Sequence, residues 1–243
     1  MSEIARDING RGYRVDIQPA FGHVSAQDLI SLVTRPAEAK AARLGGRGGV
    51  SYAQLPGAGA VVIKQYRRGG VFGIFVREVY WRVGALRSEH ECRMLEVVRS
   101  LGVSAPEAVA VISRGGRFYR TWLITREVGE RLTLAELALA DEDRARSIIP
   151  ALVAQMNLLI DNQIFHVDLH PGNVLVGPGA SVHLVDFDKA GEFSGSREDL
   201  RDKYVFRWRR AVIKHRLPEV LSELVCLGLR HKPAEAARRP AEA

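Results

Sequence analysis

Cysteine is nearly absent: two residues in 243, Cys92 and Cys226. They do not form a close-spaced metal-binding pair, and two cysteines cannot build a disulfide framework. Both lie in periodic apolar stretches and are expected to be reduced, buried thiols in a cytosolic protein. No apolar run approaches the length needed to cross a bilayer. The amino-terminal segment carries acids and polar residues and lacks the apolar core of a signal peptide, so a cytoplasmic protein is expected. The pattern Gly-x-x-x-x-Gly-Lys-Ser/Thr does not occur, which excludes a phosphate-binding loop of that kind. Acids are also short: 28 Asp and Glu face 35 Lys and Arg, giving a formal charge of +7 and a pI near 9.7. Such a surface favours anions, whether nucleic acid, an anionic membrane face, or a phosphorylated or acidic substrate. What remains is ordinary globular composition, 47% hydrophobic and 26% charged, in a chain long enough for one large or two small domains.

Residues 1 to about 35 alternate weakly and give no strong signal. Gly45-Gly-Arg-Gly-Gly-Val-Ser51 is a glycine cluster, and Ala60-Val-Val-Ile-Lys-Gln-Tyr66 reads as a strand leading into Lys64. Together they suggest a β-hairpin with a flexible tip. Leu86 to Leu101 reads as an amphipathic helix, with Leu95, Val98 and Leu101, three apart, and Cys92 on one face, Gly102 ending it and Pro106 keeping it ended. Ala108–Ile112 and Tyr119–Ile124 read as strands joined by a turn at Gly115-Gly116, and Thr125–Gly129 as a connector. Then come helices over Leu132–Leu139 and Ile148–Ile160, a loop over Phe165–Gly172, and short strands Asn173–Val176 and Val182–Val185 turned by Gly177-Pro-Gly179. Residues 199–230 predict two helices broken near Pro218, and the segment from His231 onward is expected to be disordered. A strand-rich half thus precedes a helical half, and a nucleotide would sit in the cleft between them.

Chemistry concentrates in His166-Val-Asp-Leu-His-Pro-Gly-Asn173, followed by Asp186 in Leu184-Val-Asp-Phe-Asp188. An Asp base, an Asn and a second Asp stand in the order used by kinase-like phosphotransferases. Asp168 is the candidate base facing the acceptor hydroxyl. Asn173 and Asp186 offer hard oxygen ligands to Mg2+ on ATP. Leu175, Leu184 and Phe187 are expected to anchor the hairpin as core. His166 is expected to brace the loop, and His170 either touches substrate or stabilises the loop. Lys64 is the candidate for the lysine that pairs with the α- and β-phosphates; its carboxylate partner is expected to be Glu91, with Glu89 and Glu78 as rivals. Gly46, Gly48 and Gly49 would cover the phosphates through backbone N–H groups, or form a plain surface loop. Arg67 and Arg68 would bind an anionic group on the acceptor, or form a solvated basic turn. Between Arg201 and Arg216, seven basic residues face one acid, with Tyr204, Phe206 and Trp208 interleaved. That segment reads as an interfacial patch for anionic lipid, an RNA-binding surface, or a solvated helix face.

These motifs resemble the lipopolysaccharide core kinases, and among them the 3-deoxy-D-manno-octulosonic acid (Kdo) kinases. The likeness runs from about Gly46 to Lys214. It is carried by Gly46-Arg-Gly48, Val62-Ile-Lys-Gln-Tyr-Arg-Arg-Gly-Gly70, Glu91-Cys-Arg-Met-Leu95 through Leu101-Gly-Val-Ser-Ala-Pro106, His166-Val-Asp168, and Val182-His-Leu-Val-Asp-Phe-Asp-Lys189. The resemblance implies an α+β, eukaryotic-protein-kinase-like fold: a β-rich lobe over 1–126, a mainly helical lobe over 127–230, and a tail over 231–243. It implies phosphotransfer from ATP, with Mg2+, to the 4-hydroxyl of Kdo on Kdo–lipid A. Lys64 and Glu91 would serve the nucleotide, Asp168 the acceptor, and Asn173 and Asp186 the metal. Because the acceptor is lipid-anchored, the enzyme would be peripheral, on the cytoplasmic side of the inner membrane, and nucleic acid would not be its partner. Asp168-Leu-His-Pro-Gly-Asn173 is also similar to the loop of aminoglycoside phosphotransferases. A small-molecule phosphotransferase, a heptose kinase and a non-catalytic basic kinase-like binding protein are therefore the alternatives. No Ala-Pro-Glu follows Asp186-Phe-Asp188, and little chain separates it from the next basic helix. That disfavours a peptide acceptor.

Overall fold

Strands dominate the amino-terminal half, and their alternation decides which side chains meet. The computed structural model describes residues 2–6, 12–34, 50–66, 80–81, 86–115, 118–128 and 132–230. In chain order the elements are β1 (Ser2–Arg6), β2 (Gly12–Ile17), α1 (Ala26–Thr34), β3 (Val50–Leu55), β4 (Gly59–Gln65), β5 (Tyr80–Trp81), α2 (Arg87–Ser100), β6 (Ala108–Gly115) and β7 (Phe118–Arg126). The strands form one antiparallel sheet in the order β1-β2-β6-β7-β4-β3, with β5 against the start of β7. Because neighbouring residues point to opposite faces, each strand feeds two cores. Val61, Ile63, Ala110, Ile112, Trp122 and Ile124 pack against α1. Val111 and Leu123 point the other way and join the core that holds α2. Lys64 pairs with Leu123 in register, which sets its side chain on the α2 face.

The second half is mainly helical: β8 (Leu132–Thr133), α3 (Leu134–Ala140), α4 (Glu142–Asp161), β9 (Ile164–Phe165), β10 (Val174–Val176), β11 (Val182–Leu184), β12 (Gly191–Glu192), α5 (Arg197–Lys214) and α6 (Val220–Arg230). The chain is therefore a mixed α+β fold with an amino-terminal sheet region and a carboxy-terminal helical region. α4 buries Ile148, Ile149, Leu152, Met156, Leu159 and Ile160 along one face, as their 3.6-residue spacing requires. Thr133 and Glu136 form a capping box that starts α3, and Ser196 and Asp199 do the same for α5. The hairpin β10–β11 pairs Val174 with Leu184 and Val176 with Val182, and all four side chains are buried. Ser104 ties this hairpin to the rest: its carbonyl accepts from Leu184 N–H at 2.8 Å, and its N–H donates to Gln155 Oε1 at 2.7 Å.

Several expectations change. The quiet first 35 residues contain β1, β2 and α1, and α1 packs on one face of the sheet. The hairpin holding Lys64 is β3–β4, turned by Pro56-Gly57-Ala58 with Gly57 at φ +83°; the glycine cluster before it lies outside the described residues, as do Gly116 and the segment from His231. Thr125 and Arg126, read as the start of a connector, are the last residues of β7. Leu175 is half-buried, because alternation turns it away from Val174 and Val176. The aromatics of the basic segment separate: Tyr204 and Trp208 are core, and Phe206 alone is exposed. Cys92 is buried and Cys226 half-buried, both as free thiols; burial pushes the Cys92 thiol up to about 12. Among the described residues, no helix is long and apolar enough to cross a membrane.

Gly228 of α6 meets α4 closely. A Cβ there would lie 2.8 Å from Val153 Cγ2. Overpacking costs about 1–3 kcal/mol, and the helix propensity gained by alanine returns about 1. Gly228→Ala should therefore lower the unfolding free energy by about 1 kcal/mol, and adding Val153→Ala should recover it. Urea melts of both variants test this; an undiminished midpoint for Gly228→Ala would show that the helices can part freely.

Candidate active site

Lys64 lies near the end of β4 on the face turned to α2, and Glu91 lies one turn into α2. Lys64 Nζ donates to Glu91 Oε2 at 2.7 Å and Oε1 at 3.0 Å, and to Asp186 Oδ1 at 2.5 Å. One ammonium is thus held by carboxylates from both halves of the chain. Burial acts to lower the Lys64 pKa, but Glu91 and Asp186 outweigh it, and the net shift is upward. Burial likewise acts to raise the Asp186 pKa, and the Lys64 charge outweighs it, so the carboxyl is held below its usual range. Both groups are ionised at neutral pH. Asp186 itself takes a left-handed backbone, φ 69°, a conformation that non-glycine residues adopt rarely and that concentrates at functional sites.

Of the two rivals to Glu91, Glu89 does not take its place. Glu89 accepts from the Leu86 N–H at the start of α2, and Glu78 lies outside the described residues. Tyr66 adds a further partner: its hydroxyl donates to Glu91 Oε2. A signal was present, since Tyr66 stands two residues after Lys64 and so shares its face.

α2 makes two more contacts with the segment after Asp186. Arg87 pairs with Asp188, and His90 Nε2 bonds the Ala190 carbonyl at 2.7 Å. Residues 87, 90 and 91 occupy one helix face at i, i+3 and i+4. Residues 186, 188 and 190 alternate along the segment opposite. The Asp188 side chain is only 7% exposed, so Arg87 is the counter-charge that keeps it there. Partners about a hundred residues apart leave no local sequence pattern, and Arg87 carried no signal.

The loop before α5 is braced at each step. Tyr204 O–H donates to the Ile164 carbonyl and accepts from His166 N–H, both at 2.8 Å. His166 Nε2 meets the Val185 carbonyl at 2.9 Å. His170 Nδ1 accepts from Gly172 N–H at 3.1 Å, so this side chain caps the turn that leads to Asn173. Asn173 Nδ2 donates to the Asp168 carbonyl at 2.9 Å, which turns the amide oxygen away from that bond. Arg207 of α5 donates to the Val167 carbonyl at 2.7 Å. Lys189 Nζ reaches Asp168 Oδ2 at 2.6 Å, a contact the sequence reading did not foresee. Gly46, Gly48, Gly49, Arg67 and Arg68 lie outside the described residues.

An ionised carboxylate at Asp186 and the amide oxygen of Asn173 are the hard donors that Mg2+ prefers, and Mg2+ retains several waters. These residues fit such an ion, although among the described residues no cluster of three or more His, Cys, Asp or Glu is placed to hold one.

A sequence model of the lipopolysaccharide kinase (Kdo/WaaP) family matches residues 37–211, a span that contains every contact just described from Lys64 to Arg207. The chain is 27% identical over 175 residues to a 3-deoxy-D-manno-octulosonic acid kinase of Vibrio vulnificus (strain CMCP6), covering 71% of this chain and 72% of that one. It is 29% identical over 147 residues to the protein of the same name from Vibrio cholerae, covering 59% and 62%. It is also 28% identical over 133 residues to mitogen-activated protein kinase 7 of Arabidopsis thaliana, covering 54% and 36%.

Burial holds the His166 imidazole at about 4, against 6.5 for the free side chain, despite the Val185 carbonyl that favours a proton. The folded protein therefore keeps His166 neutral while the unfolded chain takes up a proton below pH 6.5. Stability is unaffected above that pH and falls as the pH drops from 6.5 toward 4, by about 3 kcal/mol in all. Denaturant melts at pH 7 and pH 4.5 should show this loss in the wild type and a smaller one in His166→Gln. Equal acid losses in the two proteins would remove His166 as the cause.

Proposed function

Because the chain belongs to the lipopolysaccharide kinase (Kdo/WaaP) family, we propose that it transfers the γ-phosphoryl group of ATP to a sugar hydroxyl of the lipopolysaccharide inner core. The acceptor we propose is the 4-hydroxyl of Kdo on Kdo–lipid A. The observation that carries the reading is the shared Lys64 ammonium between Glu91 and Asp186, beside a loop that presents Asp168 and Asn173. Likeness to a mitogen-activated protein kinase supports a eukaryotic-protein-kinase-like fold, with a β-rich lobe over 1–126 and a helical lobe over 127–230.

On this reading, Lys64 neutralises charge on the ATP phosphates and Glu91 and Tyr66 fix its position. Asn173 and Asp186 would hold Mg2+, which supplies charge neutralisation on the phosphate oxygens. Asp168 orients the acceptor hydroxyl and takes its proton. The acceptor oxygen forms a bond to the γ-phosphorus, the bond from that phosphorus to the bridging oxygen breaks, and ADP leaves. Lys189 must release Asp168 for this, and its ammonium then stands beside the transferred group. Only residues 187–196 separate Asp186 from α5, and β12 within them pairs with β9. That leaves no long segment on which a peptide could lie. The basic surface suits an acceptor rich in carboxylates and phosphates, and we place the enzyme as a peripheral protein on the cytoplasmic side of the inner membrane. The loop Asp168–Asn173 favours one second reading, a soluble aminoglycoside-type acceptor.

Labelled ATP offered with Kdo–lipid A, a heptosylated core and an aminoglycoside separates these acceptors. Label should appear on Kdo–lipid A; transfer to the aminoglycoside alone would replace the acceptor. Asp168→Ala should lower kcat by about a hundredfold or more with ATP affinity kept, whereas Lys64→Ala should weaken productive nucleotide binding. Turnover retained in Asp168→Ala would remove it as the base.

A further inference from the structure

α5 is the helix of the basic segment, and the structure divides it cleanly. Leu200, Tyr204, Val205, Trp208 and Val212 are buried, and Trp208 Nε1 donates to the Leu221 carbonyl at 2.9 Å. The opposite face is unusual. Phe206 is 66% exposed and Ile213 74% exposed. They are seven residues apart and so stand on the same face, two turns from one another. Leu139 and Leu227 are exposed singly on other helices, without such a pairing.

Cations surround the apolar pair. At 100° per residue, Lys203, Arg210 and Lys214 run along one side of Phe206 and Ile213, and Arg209 lies on the other. All four are exposed, against two acids on this face, Asp202 and Asp199, the latter bonded into the Ser196 cap at the helix start. An apolar centre with a cationic margin is what an interfacial helix presents to an anionic bilayer, where rings and branched chains enter the headgroup boundary and cations meet lipid phosphates. A protein partner would favour a broader apolar centre with few charges. A nucleic-acid groove would favour cations without a protruding aliphatic pair.

The face also lies beside the candidate active site. Arg207, at the edge of this face, holds the Val167 carbonyl and stacks over the Phe165 ring at 5.3 Å. His215, just past the helix end, lies 5.9 Å from His170, ring centre to ring centre. α5 therefore runs along the loop that carries Asp168.

We propose that the Phe206–Ile213 face of α5 is a membrane-docking surface that seats the protein on an anionic phospholipid bilayer, with the Asp168 loop held at the bilayer edge. This rests on the reading above for the bilayer as partner. It goes beyond that reading in naming the residues that insert and those that bind headgroups.

The test is binding without turnover, so its failure is distinct from failure of the phosphotransfer reading. Purified full-length protein is mixed with vesicles of phosphatidylcholine alone, or with phosphatidylglycerol added, and floated on a density gradient. The wild type should float with the anionic vesicles, and raising salt from about 0.05 M to about 0.5 M should release much of it. Phe206→Ser with Ile213→Ser should weaken binding by about tenfold. Arg209→Glu with Arg210→Glu should weaken it by at least about 25-fold, at about fivefold for each lost cation. Both variants should keep wild-type thermal midpoints and wild-type phosphotransfer to a soluble, deacylated acceptor. Equal flotation with neutral and anionic vesicles, or undiminished binding by either double variant, would overturn the proposal. So would absent vesicle binding beside tight binding to an RNA oligomer.

Discussion

One ammonium joins the two halves of this chain. Lys64 reaches from the sheet to Glu91 on α2 and to Asp186 after the β10–β11 hairpin. Two carboxylates brought together in a half-buried site would repel one another, and the cation between them makes the arrangement possible. Everything around the site serves to hold those three groups. The pairing of Lys64 with Leu123 sets the lysine on the α2 face, and the hydroxyl of Tyr66 donates to the same Glu91 oxygen, Oε2, that takes the shorter lysine bond. Asp186, with a left-handed backbone, places its carboxylate 2.5 Å from the lysine ammonium.

The same logic explains the second pairing. Glycine follows Asp-Phe in protein kinases; here the position is Asp188, which is nearly buried. A buried carboxylate without a partner is strongly destabilising, so its presence depends on Arg87. With His90 on Ala190, the helix face bearing Glu91 is fastened at three successive points. On the other side of the site, His166 and Tyr204 anchor a loop whose polar backbone would otherwise lie unsatisfied in the core.

The parts legible in the sequence were those with short-range causes. α2 and its end at Gly102 followed from apolar spacing and a glycine, which takes φ +86° there. Glu91 followed from lying on the same helix face as Cys92 and Leu95. The hairpin β10–β11 followed from two short apolar runs about the turn Gly177-Pro-Gly179. What stayed hidden had long-range causes or weak local ones. α1 is nine residues long, and the face it packs on is assembled from five separate strands, β2, β3, β4, β6 and β7. Pro56-Gly57 was a turn signal overshadowed by the denser glycine cluster nearby. Arg87 with Asp188, and Lys189 with Asp168, join residues too distant for any spacing rule to connect. Tyr204 and Trp208 read as surface aromatics because basic residues surround them; their i, i+4 spacing places them instead on the core stripe of α5.

The three fastenings of α2 are all made by the chain's own side chains. In enzymes where such a helix is held by an added phosphate or a bound partner, removing that input silences the site. Among the described residues, the lysine, its glutamate and Asp186 stand together through contacts within the chain. The helix face that bears Glu91 and the segment after Asp186 are thereby coupled, so a displacement of either must be shared by the other.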